Sequence, residues 1–215
     1  IAPPLLGSRV RVKMLRRFLA PAPGDRIIDL GCGNGRAIAW NADSGASMVG
    51  IDISPYFARE AIERSDLVLG DLRKLPIEDG VFSKAWSLDV LEHLDDPMAA
   101  AREFRRALRP GGRLLATVPA YQWLWSSHDV ALGHRRRYTR HPLRTLLQGA
   151  GFEVDICSYV MSTALPPAIA TSTRSLRTRT RSGPGETGWG SVLRSTARPT
   201  PPSFHASGSG RARSP

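Results

Sequence analysis

Apolar residues in the first 160 positions fall into short runs separated by amphipathic segments. The short runs predict six strands, at residues 26–30, 48–51, 67–69, 81–88, 113–118 and 152–159. Helices are predicted between them at residues 36–43, 55–64, 96–109 and 139–149, and an amphipathic helix with a basic face at residues 8–20. Strands separated by helices indicate right-handed crossovers. We therefore expect an α/β fold with a mainly parallel central sheet covered by helices on both faces.

A glycine-rich turn follows the first predicted strand. Gly31, Gly33 and Gly35 come directly after the apolar run that ends at Leu30. Glycines let the backbone turn tightly and approach a ligand without a Cβ in the way, and the next helix offers free amides at its positive end. The spacing is G-x-G-x-G, and the sixth position of the dinucleotide fingerprint G-x-G-x-x-G is Arg36. The turn therefore predicts a ligand site that differs from a dinucleotide site.

Carboxylates stand beside this turn and at the ends of the following strands. Asp29 precedes the first glycine by two residues, and Asp52 and Asp71 end the second and third strands. Ligands of parallel sheets bind beyond the carboxyl ends of the strands, so these groups and Asp89 should line one edge. A carboxylate at 29 favours an ammonium or sulfonium, Asp52 can accept ribose hydroxyls, and Asp71 can accept an adenine amino proton. A ligand with those parts is S-adenosylmethionine.

Five motifs, in this order, resemble those of class I S-adenosylmethionine-dependent methyltransferases. They are DLGCGNG at 29–35, GIDIS at 50–54, GDL at 70–72, LDVLEHL at 88–94 and LRPGG at 108–112. The resemblance covers roughly residues 25–159 and implies that family's Rossmann-like fold. The family closes its sheet with a seventh, antiparallel strand. No segment after residue 170 has a strand pattern, so a sheet that lacks this last strand is one expected outcome.

The resemblance also implies the parts that individual residues play. It assigns the glycine loop to the methionine part of the donor, Asp52 to the ribose, and Asp71 with Leu72 to the adenine. Leu88 and Asp89 flank the donor methyl group. The donor-binding residues expected on these grounds are Asp29, Gly31, Gly33, Asp52, Ile53, Asp71, Leu72 and Leu88, with S-adenosylmethionine as the cofactor.

Histidines are the candidate catalytic bases. A sulfonium is a good leaving group, so the enzyme mainly aligns the acceptor, and a base is needed where the acceptor is a hydroxyl or an acidic carbon. His93, His128 and His134 are the candidates because histidine titrates near neutral pH, although each can equally be a packing or capping residue. The spacing of His128, Asp129 and His134 matches no usual ligand pattern, so no metal is expected. Three arginines at 135–137 favour an acceptor that carries carboxylate or phosphate.

The charge is concentrated near the carboxyl terminus. The chain of 215 residues has a net charge of +11, yet residues 1–170 hold 22 Lys and Arg against 18 Asp and Glu, while residues 171–215 hold eight arginines against one acid. That segment is rich in Arg, Ser, Pro and Gly, and burial of its few apolar residues cannot offset about 1–2 kcal/mol of backbone entropy per residue.

We expect three parts in the chain: a helical segment at 1–24, a methyltransferase domain at 25–165 and a disordered tail at 171–215. A frameshifted extension is one explanation of the tail's composition.

The expected function is methyl transfer to a small-molecule or lipid-linked acceptor by in-line displacement. One alternative is a nucleic-acid methyltransferase that uses the basic tail. Against it, LDVL at 88–91 stands where methylators of base amino groups have an Asp/Asn-Pro-Pro-aromatic motif. The other alternative is an inactive, truncated domain.

The expected setting is cytoplasmic. Two cysteines, Cys32 and Cys157, exclude a disulfide framework, and no basic-then-apolar leader opens the sequence. The apolar stretch at 160–170 is short and contains two prolines, so no transmembrane segment is predicted.

Overall fold

A seven-stranded sheet forms the centre of the structure. The computed structural model describes residues 6–160 and 190–197. The strands of that part are β1 (Arg26–Leu30), β2 (Ser47–Asp52), β3 (Asp66–Leu69), β4 (Phe82–Leu88), β5 (Leu108–Pro119), β6 (Phe152–Val160) and β7 (Gly190–Ala197). Their order is β3-β2-β1-β4-β5-β7-β6. Strands β1 to β5 pair in parallel, and β7 is antiparallel to both β5 and β6.

Helices connect the strands. They are α1 (Leu6–Met14), α2 (Arg36–Ala39), α3 (Arg59–Ile62), α4 (Pro97–Ala107), α5 (Ser127–Ala131) and α6 (Arg140–Gly149), and a π-helical turn, Leu15–Leu19, continues α1. Helix α4 begins as its sequence predicts, because the Asp96 carboxylate accepts a hydrogen bond from the Ala99 amide and Pro97 occupies the first turn. Among the described residues, no helix is long and apolar enough to cross a membrane.

Apolar side chains cover both faces of the sheet. Neighbouring residues of a strand point to opposite faces, so Ala85 and Leu114 face one core while Trp86 and Leu115 face the other. Helices α4 and α6 pack on the first face, and the N-terminal helical segment and α2 pack on the second. The predicted mainly parallel sheet with helices on both faces is confirmed.

The last strand of the sheet is present, so the expectation that it might be missing is wrong. Residues Gly190–Ala197 form β7 between β5 and β6, and β6 pairs with no other strand of the described sheet. The predicted disorder of 171–215 is therefore wrong for this strand, while residues 171–189 and 198–215 lie outside the described residues. A strand that is paired on both sides is stabilised by non-local hydrogen bonds as well as by its own side chains. The hydrophobic pattern of the sequence therefore did not predict β7.

Candidate functional site

Two adjoining clefts open at the carboxyl ends of β1, β2 and β4. Their volumes are about 620 Å³ and about 240 Å³. They share walls formed by the glycine loop and Leu88. The residues predicted to hold a donor all line one or both clefts: Asp29, Gly31, Gly33, Asp52, Ile53, Asp71, Leu72 and Leu88. The structure brings this predicted set together at one sheet edge, and the part each residue plays toward a ligand stays a prediction.

The three glycines of the loop serve different purposes. Gly31 and Gly35 have φ values of +82° and +79°, and a Cβ on either would lie within 2.5 Å of a side-chain atom of Val90 or Ala61. Packing therefore requires glycine at both positions. Gly33 also has a positive φ, +53°, but a Cβ there would meet nothing within 4 Å. Its bare backbone borders the larger cleft and leaves room for a ligand.

Asp52 ties the glycine loop to the end of β2. One carboxylate oxygen accepts a hydrogen bond from the Gly33 amide and the other from the Ser54 amide, each at 2.8 Å. The neighbouring Ile53 side chain is 79% exposed and lines the larger cleft. The Asp52 carboxylate, a hydrogen-bond acceptor, thus lies next to the exposed apolar side chain of Ile53.

Asp29 is a buried carboxylate at the floor of the smaller cleft. It is 2% exposed, and among the described residues its Oδ2 has no hydrogen-bond partner. Burial, reinforced by the nearby charge of Asp52, raises the pKa of Asp29 to about 7. A cationic group in the cleft would favour the ionised form of this carboxyl.

Asp71 is already paired within the chain. Its carboxylate accepts hydrogen bonds from Arg73 Nε at 3.0 Å and Arg73 Nη2 at 2.7 Å, which lower the pKa of Asp71. Both side chains are partly exposed, so the pair is only weakly stabilising. A ligand can therefore displace Arg73 from Asp71 at little cost.

The three candidate bases occupy different positions. His93 lines the larger cleft, and burial together with the charge of His134 lowers the pKa of His93. The His134 ring lies behind it in an edge-to-face contact, with ring centres 4.7 Å apart. His128 lies on α5 and is not among the residues described as lining either cleft. Only His93 of the three borders the larger cleft.

Comparisons with known proteins agree with this geometry. Residues 28–116 match the family model described as a methyltransferase domain. The chain is 38% identical over 123 residues to demethylmenaquinone methyltransferase of Corynebacterium kroppenstedtii, covering 54% of each chain. It is also 38% identical over 101 residues to 27-O-demethylrifamycin SV methyltransferase of Amycolatopsis mediterranei, covering 42% of this chain and 37% of that protein. The chain thus spans about half or less of the length of these relatives.

Solved structures share the fold over almost the whole chain. The [4+2]-cyclase SpnF superposes with a TM-score of 0.69 and 24% identity, covering 92% of this chain and 84% of that one. Geranyl diphosphate methyltransferase in complex with S-adenosylmethionine gives a TM-score of 0.67 and 18% identity, covering 89% of this chain and 85% of that one. Residues 28–116 of this chain thus resemble a methyltransferase domain, and the chain shares the fold of these solved structures.

The two clefts have a charged contact that the sequence analysis did not predict. Arg11 of α1 lines the smaller cleft and pairs with Asp89, 78 residues away in the chain. Asp89 has a φ of +55°, and its carboxylate also accepts a hydrogen bond from Thr117 Oγ1 at 2.9 Å. The basic face of the N-terminal helix was the only signal of this contact, because local pattern does not reveal which residue a surface arginine will meet.

A second missed feature is the buried network around Asp129. Arg137 donates to both carboxylate oxygens at 2.7 and 2.8 Å, and His134 Nδ1 lies 2.9 Å from Oδ1. Burial acts to raise the pKa of Asp129, but the hydrogen bonds from Arg137 and His134 outweigh it and hold that pKa well below its ordinary value. This network fixes the orientation of the His134 ring.

The arginines predicted to bind an anionic acceptor are engaged by the chain itself. Arg137 is held by Asp129, Arg135 Nε donates to the His93 carbonyl at 3.0 Å, and Arg136 Nη2 donates to the Leu94 carbonyl at 3.0 Å. These bonds fasten the loop between α5 and α6 to the loop after β4. Their main visible role is therefore to shape the wall beside His93.

Proposed function

We propose that this chain transfers the methyl group of S-adenosylmethionine to a small-molecule or lipid-linked acceptor. The observation that carries the proposal is the convergence, in adjoining clefts, of the buried Asp29 carboxylate, the open backbone at Gly33 and the Asp52 carboxylate. A buried anion suits a cationic ligand, and an open glycine suits close approach of its backbone. The match of residues 28–116 to a methyltransferase-domain model and the S-adenosylmethionine complex of a structure with this fold support the same donor.

The proposed donor lies across both clefts. Its amino-acid end occupies the smaller cleft, where Asp29 faces the ammonium and Arg11 is close enough to serve the carboxylate. The ribose hydroxyls are held by Asp52, which already receives two backbone amides on the same carboxylate. The adenine covers the exposed Ile53, and its amino group reaches Asp71 once Arg73 moves away.

Alignment supplies most of the proposed catalysis. An acceptor atom in line with the S–CH₃ bond displaces a neutral sulfide, and positioning of this kind contributes roughly 7–11 kcal/mol in favourable cases. Leu88 and Asp89 border the cleft near the proposed methyl position. His93, on the same wall, is the proposed base where the acceptor loses a proton, because burial lowers its pKa and so favours the neutral imidazole that can accept one.

The proposed class of acceptor rests on the names of two relatives and on the residues beside the larger cleft. Two relatives are named for methylating demethylmenaquinone and a rifamycin, a lipid-linked and a small-molecule acceptor. An acidic or phosphate-bearing acceptor is a narrower proposal. It requires the guanidinium of Arg135, which is 51% exposed in its pair with Asp95, to turn from that partner to the acceptor.

Calorimetry with Asp52→Ala tests the donor site. Two hydrogen bonds to a charged group contribute about 1.5–3 kcal/mol each, so donor affinity should fall by more than about 100-fold. Asp43→Ala is the matched control, because Asp43 is an exposed aspartate that pairs with Arg16 away from the clefts. Since Asp52 also receives backbone amides, circular dichroism must show a native fold. Unchanged affinity in a folded Asp52→Ala protein would refute the assignment.

A second experiment identifies the acceptor. Purified protein is incubated with methyl-labelled S-adenosylmethionine and an extract of cell metabolites, and labelled products are identified by mass spectrometry. The proposal predicts a labelled small molecule or lipid with the wild type and none with Asp52→Ala. Label appearing only in nucleic acid would instead support the alternative class of acceptor.

A further inference from the structure

We propose that Glu92, His93 and His134 form a binding site for one divalent transition-metal cation, on the acceptor side of the donor clefts. One carboxylate oxygen of Glu92 and one ring nitrogen of each histidine lie within 4.8 Å of one another. The residues come from two loops, one after β4 and one between α5 and α6. Sequence spacing argued against a metal because it grouped His134 with His128 and Asp129, whereas the fold groups His134 with Glu92 and His93.

The buried Glu92 carboxylate is the strongest indication of a cation site. Glu92 is 0% exposed, and among the described residues neither of its carboxylate oxygens has a hydrogen-bond partner. Its Oε1 lies 4.0 Å from His134 Nε2, which is too long for a direct hydrogen bond. The buried arginine nearby, Arg137, uses its donors on Asp129 and the Ala120 carbonyl instead. A buried ionised carboxylate in this state costs several kcal/mol unless it takes up a proton or a cation joins it.

The His134 ring is already oriented as a metal ligand would be. The His134 Nδ1 lies 2.9 Å from Asp129 Oδ1, and a contact with a carboxylate oxygen makes Nδ1 the donor. In the neutral imidazole Nε2, which faces Glu92, is then the free acceptor. Carboxylate–histidine–metal arrangements of this kind fix the ring and its tautomer. Asp129 is itself held by Arg137, which makes the support rigid.

The three ligand atoms need to move only slightly closer together to bind one ion. Nitrogen and carboxylate oxygen ligands lie about 2.0–2.2 Å from zinc, and so about 3.4 Å from each other in a tetrahedral site. The two loops are linked by hydrogen bonds from Arg135 to the His93 carbonyl and from Arg136 to the Leu94 carbonyl. Side-chain rotation within this frame closes the remaining gap. Two imidazoles and one carboxylate favour a transition metal over Mg²⁺ or Ca²⁺.

The position of the site gives the ion a chemical use. His93 lines the larger cleft, so an ion held by these three residues would border the space where an acceptor enters. With the ion bound, His93 would act as a ligand and not as the base. The cation would activate the acceptor in its place, because it lowers the pKa of a hydroxyl group that binds to it and orients its oxygen. This use rests on the proposed methyl transfer, whereas the presence of the ion does not.

Direct metal titration tests the site without any donor. The full-length chain is stripped with EDTA and titrated with ZnCl₂ by calorimetry and with CoCl₂ by visible absorption. We expect one ion per chain, and at least about tenfold weaker binding in Glu92→Gln and in His93→Gln. His141→Ala is the matched control, because His141 is exposed on α6 and should leave the affinity unchanged.

Two results would overturn the proposal. One is the absence of stoichiometric binding by the wild-type chain. The other is unchanged affinity in both folded variants, which would put the ion elsewhere. Glu92→Gln should fold at least as well as the metal-free wild type, since it replaces an unpartnered buried carboxylate with a neutral amide. Zinc should raise the melting temperature of the wild type and leave that of Glu92→Gln nearly unchanged.

Discussion

The charge of Asp29 should make donor binding depend on pH. With its pKa near 7 in the free protein, this buried carboxyl is largely protonated below neutral pH, while a bound ammonium or sulfonium favours the ionised form. Donor affinity should therefore fall as the pH drops below 7, approaching tenfold per pH unit. Calorimetry between pH 5.5 and 7.5 measures this slope. Asp29→Asn should bind more weakly and show almost no slope, and an equally steep slope in that variant would contradict the prediction.

Gly31 and Gly33 should respond differently to alanine. A Cβ at Gly31 would lie 2.5 Å from a Val90 methyl group at a strained positive φ, so Gly31→Ala should lower the free energy of unfolding by about 1–3 kcal/mol. A Cβ at Gly33 meets open space, so Gly33→Ala should cost only about 1 kcal/mol of backbone strain but weaken the donor. Urea unfolding and calorimetry separate the two effects. Equal losses of stability in both variants would show that Gly33 also serves packing.

Single residues were predictable where chain geometry alone places them. Asp29, Asp52 and Asp71 end adjacent parallel strands, so their common edge follows from topology. Arg11 and Glu92 were not recognised, because their importance depends on contacts between distant segments. Arg11 meets Asp89 across 78 positions, and Glu92 stands out only because burial leaves its carboxylate without a partner.

At the level of elements, β7 should decide whether the sheet is complete. A chain ending at residue 189 leaves β6 without its partner in the described sheet and exposes the β5 edge, so it should lose cooperative melting or aggregate. A chain ending at residue 197 keeps every described strand pairing and should melt close to the full-length protein. Thermal melting by circular dichroism compares the three chains. Equal melting of the two truncated chains would contradict the strand assignment.

The regular elements followed their local patterns, with informative exceptions. The first five strands and β6 overlap the predicted apolar runs, because each packs apolar side chains against the core. In β3 these side chains, Leu67 and Val68, are only partly buried. Helices α2 and α3 are only four residues each, shorter than their patterns suggested. The pairing on both flanks of β7 explains why its composition, GSVLRSTA, concealed it.

At the scale of the whole molecule, the fold alone does not determine which reaction is catalysed. A methyltransferase and a [4+2]-cyclase both superpose on this chain with TM-scores near 0.7, at 0.67 and 0.69. The reaction must therefore be read from the clefts and their lining side chains. Here the proposed donor side carries the carboxylates Asp29, Asp52 and Asp71, and the proposed acceptor side carries His93 with the buried Glu92 behind it. The distinctive chemistry of this chain lies on the acceptor side.

Melting in the presence of donor separates a working domain from an inactive one. A ligand at about 100 times its Kd stabilises the folded state by about 2.7 kcal/mol, which corresponds to about 5–11 °C for a domain of this size. Full-length protein with saturating S-adenosylmethionine should show such a rise, and Asp52→Ala should show little. Adenosine alone should produce a smaller rise, since it lacks the cationic end that Asp29 favours. A wild-type chain that melts cooperatively but does not respond to donor would support the inactive-domain alternative, because its sheet would be complete while its clefts bind nothing.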